Sequence, residues 1–171
     1  MADVAQWCES RLLRMKSDKS EVIWLGSHAT LARLAAHDCS LQIGSEIIAP
    51  ATTARLLGVL LDAELTIKPH KARTAATCFY HLRRIRQIRR CVGVDIAERL
   101  VLALVTSRLD YSNSSLTGLP RSTLDPLQRV QNAAARLIFQ LRPRDHVTPS
   151  LKQLHWLPVR FRVQYKLCML I

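Results

Sequence analysis

Residues 72–92 decide the fold, and they read ARTAATCFYHLRRIRQIRRCV. Apolar side chains recur in this stretch at steps of three and four, the spacing of one face of an α-helix. Gly93 then interrupts the pattern, so the sequence predicts one long helix from Pro69 to Val92. Its predicted buried stripe consists of Ala72, Ala75, Phe79, Leu82, Ile85, Ile88 and Val92.

The same helix carries a localised positive charge. No acidic residue lies between Glu64 and Asp95, and the whole chain has a formal net charge of +12. Lys and Arg gain free energy by displacing counterions from phosphates, so this distribution favours a polyanionic partner. The alternative is a charged face that is merely solvated. The basic residues of this interval are Lys68, Lys71, Arg73, Arg83, Arg84, Arg86, Arg89 and Arg90.

Four further helices are predicted after Gly93. Each has a recognisable start in the sequence, and Pro143 ends the second of these four helices. The predicted starts are Asp95 with Glu98 as a capping box, Ser122 or Thr123 as a cap, Thr148 followed by Pro149, and Val159.

Residues 1–66 have a different pattern. A helix is predicted over residues 4–14, and residues 30–36 form either a short helical turn or a loop. Short strands are predicted at 21–25, 40–43, 46–48 and 56–61, with turns at Ser17-Asp18-Lys19 and Gly44-Ser45. The predicted fold class is therefore α+β and mostly α, with a small antiparallel part over residues 1–66 and a helical bundle over 67–171.

Several protein classes are excluded. The five cysteines are odd in number, widely spaced and without a C-x-x-C motif, which argues against a disulfide framework. No apolar run approaches the roughly 20 residues that span a bilayer, and the start is not a secretory signal. We expect an intracellular protein, nuclear or cytoplasmic, with no membrane partner.

Seven stretches, in the familiar order, resemble the back half of LINE-type (non-LTR) retrotransposon reverse transcriptases. The resemblance covers nearly the whole chain and is greatest to the Jockey-like grouping. The stretches are Ser17–Val22, Ala54–Asp62, Cys78–Arg83, Ser107–Tyr111, Leu127–Arg136, Arg144–Pro149 and Leu154–Val159.

The resemblance implies that residues 1–66 are the C-terminal part of the palm. Residues 67–171 would then be the helical thumb and the start of the post-thumb region. In this family the thumb grips the template–primer duplex, so the expected partners are RNA and DNA backbones. The predicted nucleic-acid contacts are Lys71, Arg73, Arg83, Arg84, Arg86, Arg89 and Arg90.

Lys19 resembles the family's palm lysine, whose ammonium can offset charge on the leaving group of an incoming nucleotide. The alternative is an ordinary turn lysine, which is favoured where the rest of the catalytic site is missing. Nucleotidyl transfer needs two metal ions held about 3.5–4 Å apart by carboxylates. This sequence has no Asp-Asp pair, and the nearest candidates, Asp62 and Glu64, are expected to be solvated.

The family's aspartate-pair hairpin is expected upstream of this segment, and both ends of the chain resemble truncations. We therefore expect no polymerase activity from the chain itself, no catalytic residue, no metal site and no cofactor. Mg²⁺ is expected only for the full-length enzyme. A zinc site at His70, Cys78 and His81 is also unexpected, because no second ligand pair exists.

The leading hypothesis is a truncated RNA-directed DNA polymerase with residual non-specific affinity for RNA and DNA. The alternatives are a domesticated protein-interaction module and a non-functional pseudogene product. An incomplete palm sheet exposes a strand edge and an apolar face, so self-association through the palm part is also expected.

Overall fold

The computed structural model describes residues 2–13, 16, 19–43 and 46–170. The chain divides into two compact units, Met1–Ile67 and Lys68–Ile171, a boundary one residue from the division predicted from the sequence. The predicted fold class is confirmed, since the chain is α+β and mostly helical. The predicted turns at Ser17-Asp18 and Gly44-Ser45 lie outside the described residues.

The first unit contains two short helices and two separate antiparallel hairpins. The helix predicted over residues 4–14 is present but ends earlier, and the open segment at 30–36 is helical, with Ser27 as its N-cap. The strands predicted at 40–43 and 46–48 are confirmed as one hairpin. The elements are α1 (Ala2–Ser10), α2 (His28–Leu34), β1 (Leu41–Ile43), β2 (Glu46–Ile48), β3 (Thr53–Leu56) and β4 (Val59–Asp62).

The strand predicted over residues 56–61 is wrong, because a turn interrupts it. Leu57 and Gly58 have φ angles of 47° and 84° and join β3 to β4 as a two-residue turn. Two consecutive positive φ angles are the requirement of a type I′ turn, whose twist matches that of a hairpin. Gly58 adopts this conformation without strain. The turn was not predicted because the residues on both sides of Gly58 are apolar and resemble one continuous strand.

The strand predicted over residues 21–25 is also wrong. Within it, Val22 makes an isolated bridge to Pro50, and Trp24 and Leu25 are exposed rather than buried. The Trp24 indole Nε1 donates to the Cys39 carbonyl at 3.2 Å. An apolar run becomes a strand only where a partner strand satisfies its backbone groups.

The second unit is a helical bundle, and all five predicted helices are present. The second of them contains a π-helical stretch, Leu102–Thr106, between two α-helical parts. A 3₁₀ turn at Asn113–Leu116 precedes α6. The elements are α3 (Lys68–Ile88), α4 (Val94–Val101), α5 (Ser107–Asp110), α6 (Arg121–Ile138), α7 (Thr148–Gln153) and α8 (Val159–Leu170).

The predicted helix caps are wrong. The residues in the N-cap positions of α4, α6 and α7 are Gly93, Pro120 and Val147, and none makes a side-chain capping bond. Gly93 suits its position because a Cβ there would lie 2.7 Å from Asp95 Oδ1. Asp95, predicted as the cap, lies instead in the first turn of α4, where its carboxylate interacts favourably with the helix dipole.

The core of the second unit forms where α3 and α6 pack together with α4 and the π-helical stretch. At its centre Cys78 is fully buried, and its Sγ donates to the Val105 carbonyl at 3.7 Å. Burial raises the pKa of the Cys78 thiol to about 11, so it stays protonated at neutral pH. The buried apolar residues around it include Ala75, Leu82, Ile85, Ala97, Val101, Val105, Leu109, Leu127, Val130, Ala134 and Ile138.

We predict that the two units differ in local stability. Among the described residues of the first unit, Ile67 is the one buried apolar side chain, and a two-stranded hairpin is only marginally stable by itself. In the whole chain, backbone amides of β1–β4 should therefore exchange with solvent at least ~100-fold faster than the central amides of α3 and α6. Residue-resolved hydrogen exchange measures this ratio, and equal protection in both units would contradict it.

Candidate nucleic-acid interface

The phase of α3 determines which of its basic residues face outward. Its buried positions are Lys71, Ala75, Cys78, Leu82 and Ile85, spaced by alternating fours and threes. The next member of this series is Arg89, whose side chain is 6% exposed. The predicted stripe was therefore partly wrong: Ala72, Phe79 and Ile88 are exposed, while Cys78 and Arg89 take buried positions.

Arg89 is a structural residue. Its Nε donates to the carbonyls of Leu137 at 3.1 Å and Ile138 at 3.2 Å, and its Nη2 also donates to Ile138. Its Nη1 donates to the Val92 carbonyl at 2.8 Å. Leu137 and Ile138 end α6, where carbonyls lack intrahelical partners and carry partial negative charge. The expectation that Arg89 contacts nucleic acid is corrected, because its donors are occupied inside the bundle.

The expectation that Lys71 contacts nucleic acid is also corrected, because its side chain is 2% exposed and lies on the buried side of α3. The remaining predicted contacts, Arg73, Arg83, Arg84, Arg86 and Arg90, are all exposed. Lys71 and Arg89 continue the series of buried positions that passes through Cys78, and only the structure shows that this series, rather than the one through Phe79, faces the core.

The outward face of α3 consists of Arg73, Tyr80, Arg83 and Arg84, opposite the buried series. Arg73 and Arg83 are ten residues apart in sequence, or about 15 Å along a helix. That length corresponds to about four phosphates of one strand at 3.4 Å of helix axis each. The face therefore matches a short stretch of nucleic-acid backbone in length.

The charge of this face is uncompensated. Helix α3 has no acidic residue. In the part of the chain that the structure describes, Arg162 pairs with Asp110, and no arginine of α3 forms an ion pair. A free guanidinium presents several donors in a planar fork, a geometry that suits phosphate oxygens.

Two histidines of α3 do not add to this charge. Burial lowers the pKa of His81, and the Arg108 guanidinium lowers it further. Burial together with Lys71 and Arg73 lowers the pKa of His70. Both imidazoles are therefore neutral at pH 7. Within the described ranges, no group of three or more His, Cys, Asp or Glu side chains is arranged to hold a metal ion.

The carboxylate candidates of the first unit have other surroundings than expected. Asp62 was expected to be solvated, but it is half-buried and accepts hydrogen bonds from Thr66 Oγ1 at 2.8 Å and from Ile67 N at 2.8 Å. Burial alone would raise the pKa of Asp62, but these hydrogen bonds outweigh it and lower the pKa. Asp62 thus closes the loop after β4, whereas Glu64 is exposed, as expected.

Lys19 lies in the first unit with an exposed side chain, and its backbone N–H donates to the Lys16 carbonyl at 3.2 Å. Its assignment as a palm lysine stays a prediction. Among the helices described, none combines the length and the apolar character needed to cross a membrane.

The chain is similar to a "Probable RNA-directed DNA polymerase from transposon BS" of Drosophila melanogaster. The two are 23% identical over 141 residues, which is 81% of this chain and 15% of that protein. No family model and no solved structure matches the chain. The predicted relation to a retrotransposon reverse transcriptase is therefore confirmed at the level of distant similarity.

We predict that Arg89 and Arg83 differ sharply in their contribution to stability. Arg89→Gln removes the guanidinium donors to the end of α6 and leaves the Ile138 carbonyl unpaired, so the free energy of unfolding should fall by about 2–4 kcal/mol. Arg83→Gln, on the same helix, should change it by less than about 0.5 kcal/mol. Urea denaturation of the second unit, followed by helical circular dichroism, measures both; equal effects would refute the structural role of Arg89.

Proposed function

We propose that this chain is derived from the C-terminal palm and the thumb of a LINE-type, Jockey-like retrotransposon reverse transcriptase. We further propose that it binds RNA and DNA template–primer backbones through the outward face of α3. The observation that carries this proposal is the set of exposed arginines on that face with no acidic neighbour on the helix. The distant similarity to a transposon RNA-directed DNA polymerase supports the origin.

The binding mechanism follows from the geometry of the face. The apolar side of α3 is committed to the bundle, and Arg89 holds the end of the helix against α6. Arg73, Arg83 and Arg84 must then point to solvent, where phosphates replace their counterions. Contacts to phosphates carry no sequence information, so binding is expected to be nearly indifferent to base sequence.

Catalysis is not part of the proposed function of this chain. The sequence has no adjacent aspartates, and the Asp62 carboxylate accepts bonds from Thr66 and Ile67. A two-metal site requires carboxylates free to coordinate both ions. The activity of the much longer relative is therefore not assigned to this chain.

The purified chain should not extend a primer on an RNA or DNA template with Mg²⁺ or Mn²⁺, because it lacks the carboxylate pair that positions the metal ions. A primer-extension assay tests this, with a known polymerase as the positive control. Extension that co-purifies with the chain and is abolished by Asp62→Asn would contradict the expectation and would place catalysis in the first unit.

Affinity for a duplex should depend steeply on salt. With about four phosphates neutralised, log K should fall with log salt at a slope of about −3 to −4. The triple variant Arg73→Gln, Arg83→Gln and Arg84→Gln should flatten this slope by about 2–3 units. Gln keeps helix propensity, so the fold should be retained, and circular dichroism checks this.

The matched control is the triple variant Arg121→Gln, Arg129→Gln and Arg160→Gln, which removes the same number of exposed charges from α6 and α8. It should keep most of the slope. Equal flattening by both variants would show that binding follows net charge and not the outward face of α3. An unchanged slope in the first variant would reduce that face to a solubilising surface.

A further inference from the structure

A second basic feature lies apart from the outward face of α3, between the C-terminal ends of α3 and α6. Here the two helix ends enclose a cleft of about 420 Å³. Apolar residues of α6 and the following loop form part of its wall, and no acidic residue lines it. Its polar lining, referred to below as the arginine cleft, consists of Arg86, Arg89, Arg90, Arg136 and Gln140.

The charge balance of the arginine cleft is strongly positive. The ends of α3 and α6 each contribute a partial charge of about −0.5. The four guanidinium groups outweigh these partial charges and leave roughly +3. Arg89 already covers the carbonyls that end α6, so the negative ends of the dipoles are partly screened from the cleft. A bound anion would relieve the remaining repulsion.

Arg136, unlike Arg89, does not cover the carbonyls at a helix end. Its Nη2 donates to the Asp145 carbonyl at 3.4 Å, a long contact, and its Nε is buried without a hydrogen-bond partner. A buried donor without a partner destabilises the folded protein. Because the Nε is closed off from solvent, an anion in the cleft would meet the Nη groups of Arg136, whose contact within the protein is the long one to Asp145.

We propose that the arginine cleft is a binding site for a phosphate monoester, held by Arg86, Arg90 and Arg136. A monoester carries about −1.5 to −2 charges at pH 7 and three acceptor oxygens, which matches the excess positive charge. Apolar walls around the anion strengthen each charge-assisted bond. The volume also leaves room for the group that carries the phosphate.

This inference goes beyond the proposed backbone contact, because Arg136 belongs to α6 and Gln140 to the loop after it, and neither is part of the outward face of α3. The shared ligand chemistry has two sources. One is the 5′-terminal phosphate of a nucleic-acid strand, and the other is a free phosphate compound. Binding of either ligand would support the arginine cleft as a phosphate site.

The test is a calorimetric titration of the full chain with sodium phosphate at pH 7.5, with ionic strength held constant by chloride. We expect saturable binding that Arg136→Gln and Arg90→Gln each weaken at least about tenfold. Arg90 is exposed, so its variant keeps the test decisive if Arg136→Gln disturbs the fold. The matched control Arg129→Gln, on the exposed side of α6, should weaken binding less than about twofold.

A second titration distinguishes the sources with one oligonucleotide carrying a 5′-phosphate or a 5′-hydroxyl. Tighter binding of the phosphorylated strand, lost in Arg90→Gln, supports the site and identifies a strand end as its ligand. Equal binding of both strands, with phosphate still bound, supports the site with a free phosphate compound.

Absence of saturable phosphate binding would overturn the proposal, as would equal affinity of Arg90→Gln, Arg136→Gln and Arg129→Gln. The triple variant Arg73→Gln, Arg83→Gln and Arg84→Gln separates this proposal from the backbone contact. It should lose the salt dependence of duplex binding while its phosphate affinity stays within about twofold of the native chain.

Discussion

The hydrogen bonds from the Arg89 guanidinium to the last carbonyls of α6 fix the rotation of α3 about its axis. Arg89 stands at the end of the buried series that includes Cys78 and Leu82, so turning the helix would expose the core and break these bonds. A buried guanidinium is tolerated only where acceptors surround it, and an unpaired helix C-terminus provides them. Once the rotation of α3 is fixed, the side of the helix on which each other arginine lies is fixed as well.

Arg89 thus stabilises the bundle, and the other arginines of this segment remain exposed and can bind an anion. On the outward face the arginines are exposed and spaced along one helix, which suits an extended polyanion. In the arginine cleft they converge with Arg136 around a partly apolar space, which suits a single compact anion. These arginines thus fall into two groups that differ in geometry rather than in residue type, and the two proposed kinds of phosphate recognition rest on that difference.

The existence of α3 could be predicted from the spacing of its apolar residues, and its positive charge from its composition. Which side of the helix faces the core could not be predicted. Both the stripe through Phe79 and Ile88 and the series through Cys78 and Arg89 fit steps of three and four. A preference for apolar residues selects the first, and only the carbonyls of α6, distant in sequence, favour the second. Similarly, Leu57 at positive φ has no local signal except the glycine that follows it.

The central claim is that nucleic acid lies against the outward face of α3. Two exposed tyrosines allow a direct test: Tyr80 on that face, 49% exposed, and Tyr165 on α8, 60% exposed. Each is replaced in turn by p-azidophenylalanine, and the folded chain is irradiated with a labelled duplex at low salt. Strong crosslinking from position 80 and little from position 165 is the predicted result; equal or greater crosslinking from position 165 would contradict the claim.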